Sequence, residues 1–312
     1  MADSENNKPK RTPAENLAFI TKKAEEAKAR TEGAIAPVTN DKPKPITLPL
    51  WPDVVRGVPN GVLRSALFGA IKKGARRYMQ GEQVAAPDGI EIRYTGQQLD
   101  QGDLDVWESL LHVARIQEMG EQCRFTAYAL LKLMRKTDSG KNRATLQTRI
   151  ERLRANAVTI KQGRYSYIGG LVDEAYKDEE TQEWVIVLNP KLHALFAPDQ
   201  FTLADWSVRH ALDGKPLAQW LHGYYASHAK PYPVNVASLL KLAGSEDASP
   251  GSGRQTLRKA LDALTDASEA NGQPFSYDIR GNLVHTEKKP SGTQRRHLAK
   301  KVRQPRKPKP KP

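Results

Sequence analysis

Two segments of this chain place the same demand on any fold it can adopt. From about Thr126 to Trp184, and again from about Val234 to Val284, a short helical stretch leads through a turn into a basic helix, and an apparent β-hairpin follows. The basic helices are Ser139–Arg154 and Ser252–Asp266. A helix–turn–helix whose second member carries Leu or Ile on one face and Arg, Lys, Gln and Asn on the other is suited to a DNA major groove. Two such units in one chain imply contact with two stretches of one duplex, and sequence-specific binding of double-stranded DNA is the first expectation.

Periodicity places the buried faces. Leu146, Ile150 and Leu153 recur at i, i+4 and i+7 in the first basic helix, and Leu257, Leu261 and Leu264 repeat the spacing in the second. Leu104, Trp107, Leu110, Leu111 and Ala114 form a further stripe in a helix expected over Asp103–Glu118. The run IEIRYTG at Ile90–Gly96 alternates as a strand, no clear strand signal precedes Gly89, and Thr95–Gly102 reads as a polar turn. A helix is expected over Phe125–Lys136 with Tyr128, Leu131, Leu133 and Met134 as its apolar residues. Val158–Ile168 and Gln182–Leu188 are expected to pair as a hairpin around the polar stretch Lys177–Thr181. Pro190–Phe196 and Val236–Leu242 read as short helices, and Phe201–His210 and Pro216–His228 lie between them. Phe275–Ile279 and Leu283–Thr286 flank a turn at Arg280-Gly281-Asn282.

Side chains left off the buried stripes are the candidate readers. In the first helix these are Lys141, Asn142, Arg143, Thr145, Gln147, Arg149 and Arg152; in the second they are Ser252, Gly253, Arg254, Gln255, Arg258 and Lys259. Arg and Lys can bond guanine, Asn and Gln can bond adenine, and the Thr methyl can touch thymine. Arg280 and Asn282 stand where a hairpin tip would meet a minor groove or a phosphate. A solvated amphipathic face is the competing reading for each helix. The aromatics Trp107, Trp184, Trp206, Trp220, Tyr224 and Tyr225 could stack on unpaired bases, but their spacing favours core packing.

Charge is unevenly placed. The formal net charge is +14, and Lys288–Pro312 alone holds eleven Lys/Arg and no acid, while Thr47–Glu287 is close to neutral. Specific contacts must therefore come from local basic faces. The tail suits nonspecific phosphate attraction, or is a solvated terminus without a dedicated role. The single cysteine, Cys123, excludes an intramolecular disulfide and a Cys-based zinc finger, and its apolar neighbours suggest a buried thiol. No run approaches the ~18 apolar residues of a membrane span, and no signal-peptide core opens the chain, so a cytoplasmic protein is expected. There is no phosphate-binding G-x-x-x-x-G-K-[ST] loop and no H-x-H or H-E-x-x-H pair among the seven histidines. Asp103 and Asp105 look like helix-start residues. Neither an enzyme, nor a metal, nor a cofactor is expected.

An ordered set of short motifs resembles the TrfA-like plasmid replication initiators. It comprises Trp51-Pro52-Asp53, Pro59-Asn60, Arg64-Ser65-Ala66-Leu67-Phe68, Ile92-Arg93-Tyr94-Thr95-Gly96 and Asp105-Val106-Trp107. Leu195-Phe196-Ala197, Tyr224-Tyr225-Ala226-Ser227-His228, Pro231-Tyr232-Pro233 and Leu283-Val284-His285 continue it. The resemblance implies two winged-helix domains that bind directly repeated origin sequences (iterons) as a monomer, with a dimer less active in initiation. It also implies melting of an AT-rich element and recruitment of the host replicative helicase. Single-stranded origin DNA, the host initiator and the sliding clamp are further partners it suggests. Thr47-Leu48-Pro49-Leu50-Trp51 is the nearest match to the clamp peptide of some members, without its Gln.

The expected architecture is therefore α+β: a flexible, disordered arm at 1–46, winged-helix domains at 47–198 and 199–287, and a disordered basic tail at 288–312. A winged-helix transcriptional repressor holding an operator as a stable dimer is the alternative.

Overall fold

The computed structural model describes residues 47–71, 76–116, 122–163, 165–245 and 250–303, and Lys22 besides. The chain divides between Lys44 and Pro45, and the architecture below belongs to the second unit, Pro45–Pro312. The expected arm lies outside the described residues except for Lys22, and residues 304–312 of the tail lie outside them too.

The elements run β1 (Val55–Pro59), a helical turn α1 (Asn60–Leu63), β2 (Phe68–Gly69), β3 (Tyr78–Gln83), β4 (Ile90–Gln97), β5 (Leu99–Asp100) and α2 (Gln101–Ala114). β6 (Gln122–Thr126), α3 (Ala127–Leu133), α4 (Gly140–Arg154), β7 (Ala157–Gln162), β8 (Tyr165–Gly169), β9 (Glu174–Lys177) and β10 (Glu183–Val187) follow. After a 3-10 turn at Pro190–Phe196 come β11 (Phe201–Asp205), α5 (Trp206–Ala211) and α6 (Pro216–Ala226). β12 (Val234–Asn235), α7 (Val236–Leu242), α8 (Pro250–Ala270), β13 (Phe275–Arg280), β14 (Leu283–Lys288) and α9 (Gly292–Arg303) complete the chain.

One order occurs twice: helix, strand, helix, helix, hairpin. In the first half it is α2, β6, α3, α4 and β9–β10; in the second it is α6, β12, α7, α8 and β13–β14. The small sheets agree as well. Their strand orders are β6-β10-β9 and β12-β14-β13, so in both the last strand of the unit lies between the first and the second. The first half differs by one insertion. β7 and β8 stand between the basic helix and its hairpin and join β3 and β4 in a four-stranded sheet.

Several expectations required revision. Among the described residues three strands precede Gly89; β3 is mostly exposed and polar, which hides its alternation. Strand β4 extends to Gln97 and β5 follows, where a polar turn was expected. Helix α2 starts two residues early because Asp100 caps it, accepting from the Asp103 amide while Asp103 accepts from the Asp100 amide. Gln122–Thr126 is a strand before α3: Cys123 and Phe125 alternate inward and Thr126 caps the helix. Tyr128, read as one of the apolar residues of this helix, is 52% exposed. The segment over Val158–Ile168 does not pair with Gln182–Leu188; it is itself the hairpin β7–β8, and β10 pairs with β9 and β6. Phe201–Asp205 is a strand paired antiparallel with Val55–Pro59. The tail, expected to be disordered, forms helix α9 over Gly292–Arg303.

Buried side chains gather in two clusters. The first is built around Ile92, Tyr94, Trp107, Leu110, Leu111, Ile150 and Leu153, and it includes Trp206. The second is built around Trp220, Leu221, Tyr225, Leu257, Leu261, Leu264 and Val284, and it includes Ala70. All six aromatics named above as core candidates are buried, as is Cys123. Where the clusters meet, Arg209 of α5 is 2% exposed and donates to Asp105 at 2.7 Å and to the Gln101 carbonyl at 3.0 Å, with Glu108 at 2.5 Å. Burial pushes the Glu108 carboxyl up to about 7, against the pull of Arg209.

Candidate nucleic-acid interface

The first basic helix begins where Ser139 accepts from the Asn142 amide, at 3.3 Å. Local sequence then engages much of its first turn. The Asn142 amide group donates to the Thr137 carbonyl at 2.7 Å, and Arg143 grips both carboxylate oxygens of Asp138 at 2.6 and 2.7 Å. That bond pulls Asp138 below the ordinary carboxylate range and raises Arg143. Lys141, Arg143, Thr145 and Gln147 are exposed, with Asn142 half-buried beside them. Gln147 donates to Glu151 one turn on, at 2.9 Å.

Arg149 and Arg152 point elsewhere. Arg149 reaches Asp100 at 2.7 Å and Asp103 at 3.0 Å, and Arg152 reaches Asp103 at 2.5 Å. Arg76 approaches the same pair of carboxylates from the side of β3. Gly102 makes room for this packing, since a Cβ there would sit 2.3 Å from the Arg149 guanidinium. Burial raises the Asp100 carboxyl, but Arg149 and Arg76 outweigh it and hold it at about 2. Asp103 moves upward, through burial and the neighbouring Asp100. These two arginines anchor α4 to α2, and neither stands on the exposed face with Lys141 and Gln147. No local signal could have separated them, because their partners lie about fifty residues earlier in the chain.

The second basic helix, α8, is arranged differently. Arg254 donates to the Gly281 carbonyl at 2.7 Å, which ties the start of the helix to the tip of the β13–β14 hairpin. Gly281 turns the chain there with φ 56°, a conformation glycine adopts without strain. Ser252, Gln255, Arg258 and Lys259 are exposed, whereas Gly253 is buried. Arg258 and Lys259 enter no ion pair among the described residues. At the tip Arg280 is exposed and pairs with Asp278 at 2.8 Å, while the Asn282 carbonyl accepts from the Val236 amide at 2.9 Å. Arg254, Gln255, Arg258, Arg280 and Asn282 thus belong to one end of the second half. The tip of the first hairpin is acidic, with Asp178, Glu179 and Glu180 in sequence. Arg124 at 3.6 Å from Asp178 and Lys177 at 3.6 Å from Glu179 only partly balance it.

The exposure of Tyr128, one of several exposed tyrosines, was missed. Tyr128 on α3 stands beside Lys132, whose ammonium lies 5.8 Å from the ring centroid. Its place within an apolar run disguised it. The Thr47–Trp51 segment shows the opposite case. Leu48 and Trp51 are buried, and Trp51 stacks on Phe196 and donates its indole N–H to His112 at 3.0 Å. Leu48 and Trp51 are thus committed to the core, while Leu50 between them is exposed. Among the described residues no cluster of His, Cys, Asp and Glu is arranged to hold a metal, and no helix is long and apolar enough to cross a membrane.

The family model described as TrfA protein matches residues 10–288. The plasmid replication initiator protein TrfA of Escherichia coli is 27% identical over 297 residues, covering 90% of this chain and 74% of that protein. In fold, the chain is similar to the crystal structure of domains 2-3 of RctB, with a TM-score of 0.50 at 14% identity over 75% of this chain and 98% of that one. With the family model spanning nearly all of the described elements up to the end of β14, the chain belongs to the TrfA protein family.

Proposed function

We propose that this protein is a plasmid replication initiator that binds directly repeated origin sequences through two winged helices. The domains would be 47–198 and 199–287, with α4 and α8 as the recognition helices and β9–β10 and β13–β14 as the wings. The observation that carries the reading is the Arg254–Gly281 bond. It joins a helix start bearing exposed Gln255, Arg258 and Lys259 to a hairpin tip bearing Arg280 and Asn282, and so makes one surface that can meet a groove and its phosphates together. The first domain would contribute Lys141, Asn142, Arg143, Thr145 and Gln147, with Arg149 assigned to the fold.

The mechanism is binding, bending and melting of an AT-rich element, followed by recruitment of the host replicative helicase, with no covalent step catalysed by this chain. A monomer in equilibrium with a less active dimer and a cytoplasmic site of action belong to the same reading. Permanganate footprinting on a supercoiled plasmid carrying direct repeats beside an AT-rich stretch tests it. Protein-dependent reactive thymines are expected in the AT-rich stretch. A protected repeat without reactive thymines would favour a repressor of the same fold.

A further inference from the structure

The matched family segment stops at residue 288, and helix α9 follows it. Helix α9 is docked on the body. The Gln294 amide donates to the Ala226 carbonyl at 2.7 Å, its oxygen accepts from the Lys288 ammonium and the Ser291 amide, both at 3.0 Å, and His297 Nδ1 lies 3.3 Å from Asp199. Gln294 and Leu298, one turn apart, are half-buried. Arg295, Arg296 and Lys300 are exposed, and no acidic residue lies between Lys288 and the end of the chain.

This basic face is separate from the proposed reading end. The hairpin tip that Arg254 holds is at Gly281–Asn282, and β14 runs from Leu283 away to Lys288, about 17 Å along a strand at ~3.4 Å per residue. The described exposed face also lacks the aromatic or large aliphatic anchors that a protein partner or a membrane surface would require. Exposed cations on a docked helix suit a partner that offers only regularly spaced negative charge. We propose that α9 grips the phosphate backbone of duplex DNA flanking the sequence that α4 and α8 read, through Arg295, Arg296 and Lys300. The inference rests on the DNA-binding reading above and adds a second, sequence-independent contact to it.

The test compares full-length wild type with R295A/R296A/K300A on two duplexes, a minimal cognate repeat and the same repeat with about two helical turns of arbitrary flank on each side. On the flanked duplex the variant should bind more weakly, and its slope of log affinity against log salt should flatten by up to about 2.7, about 0.9 for each lost phosphate contact. On the minimal duplex the two proteins should match. Wild-type affinity and slope on the flanked duplex would overturn the proposal, and so would an equal loss on both duplexes. Gln294→Ala combined with His297→Ala keeps every arginine and lysine and removes both polar anchors. It should lower affinity for the flanked duplex, and wild-type binding by this variant would show that the charges act without the docked helix and also overturn the proposal. A random duplex of the flanked length separates the two readings. If wild type does not prefer the cognate repeat, the base-reading assignment fails, while the contribution of α9 is still read from the loss of random-duplex affinity in the triple variant.

Discussion

The two halves repeat one order of elements but place their charges in opposite ways. In the first, the helix that would read DNA is held by its own cations: Arg149 and Arg152 turn to Asp100 and Asp103, and Arg143 is paired with Asp138. Its hairpin tip is acidic and would repel a phosphate. In the second, α8 is fixed by leucines, so Arg258 and Lys259 are left exposed, and the tip carries Arg280. Topology alone therefore does not set how the charges of such a helix are used. If both helices read DNA as proposed, the ion pairs of α4 and the exposed Arg258 and Lys259 of α8 would make α8 the stronger base reader and α4 a helix whose placement matters more than its charge.

Breaking the anchor of the first helix should give the largest effect. Asp103 is fully buried beneath Arg149, Arg152 and Arg76, and Asp103→Ala would leave Arg152 without its carboxylate and Arg149 and Arg76 to share Asp100 alone. Removing one partner of a buried ionic network costs about 3–5 kcal/mol. Urea denaturation should show a loss of that size, and a loss below 1 kcal/mol would mean that leucine packing alone holds α4, as in the second half.

Acid should weaken both halves. Trp51 can only donate, so His112 accepts on Nδ1 and donates from Nε2 to Asp53 at 3.0 Å, which requires the neutral ring. Burial and then Arg56 hold His112 down at about 4, and burial holds His222 of the second half at about 3. Both values lie below the ordinary 6.5, so the unfolded chain binds more protons, and stability present above pH 6.5 is lost as pH falls toward 4. Melting temperature measured from pH 7 to 4.5 should fall. His222→Phe should flatten this dependence, and an unchanged slope in that variant would assign the acid loss to other groups.

A sharper test of the contrast pairs two arginines. Arg258→Ala should cost about 1–3 kcal/mol in preference for a cognate repeat over a random duplex and leave the denaturation midpoint in place. Arg149→Ala should lower the midpoint and leave the preference nearly unchanged. Exchange of these outcomes would reverse the roles assigned to the two helices.

The smallest effect concerns the hairpin tips. Glu179→Lys with Glu180→Lys gives the first tip the sign of the second and should raise affinity on long duplexes, with a salt slope steeper by at most about 1.8. No change at low salt would show that this tip lies away from DNA.

Much of the fold was legible locally. The stripes Leu146/Ile150/Leu153 and Leu257/Leu261/Leu264 are buried as spacing required, and Ile92 and Tyr94 face inward from β4 as alternation required. The exposure of Gln255, Arg258 and Lys259 was legible for the same reason, because leaving a strong apolar stripe is itself a local property, whereas the burial of Gly253 was not. Tyr128 misled because an apolar residue in an amphipathic run carries no mark of which side of the stripe it falls on until the neighbouring elements are in place.

Periods of 3.6 and 2 follow from backbone geometry, so the chain by itself determined which residues turn inward, where the basic helices lie and that the motif occurs twice. Tertiary structure decided what those elements meet. β10 pairs with β6 from far back in the chain, Arg149 finds Asp100 across the α2–α4 packing, Arg209 enters the carboxylates of α2, and Gln294 docks α9 on the end of α6. Each of these contacts depends on which distant element arrives alongside, and a local pattern of hydrophobicity or charge holds no record of that.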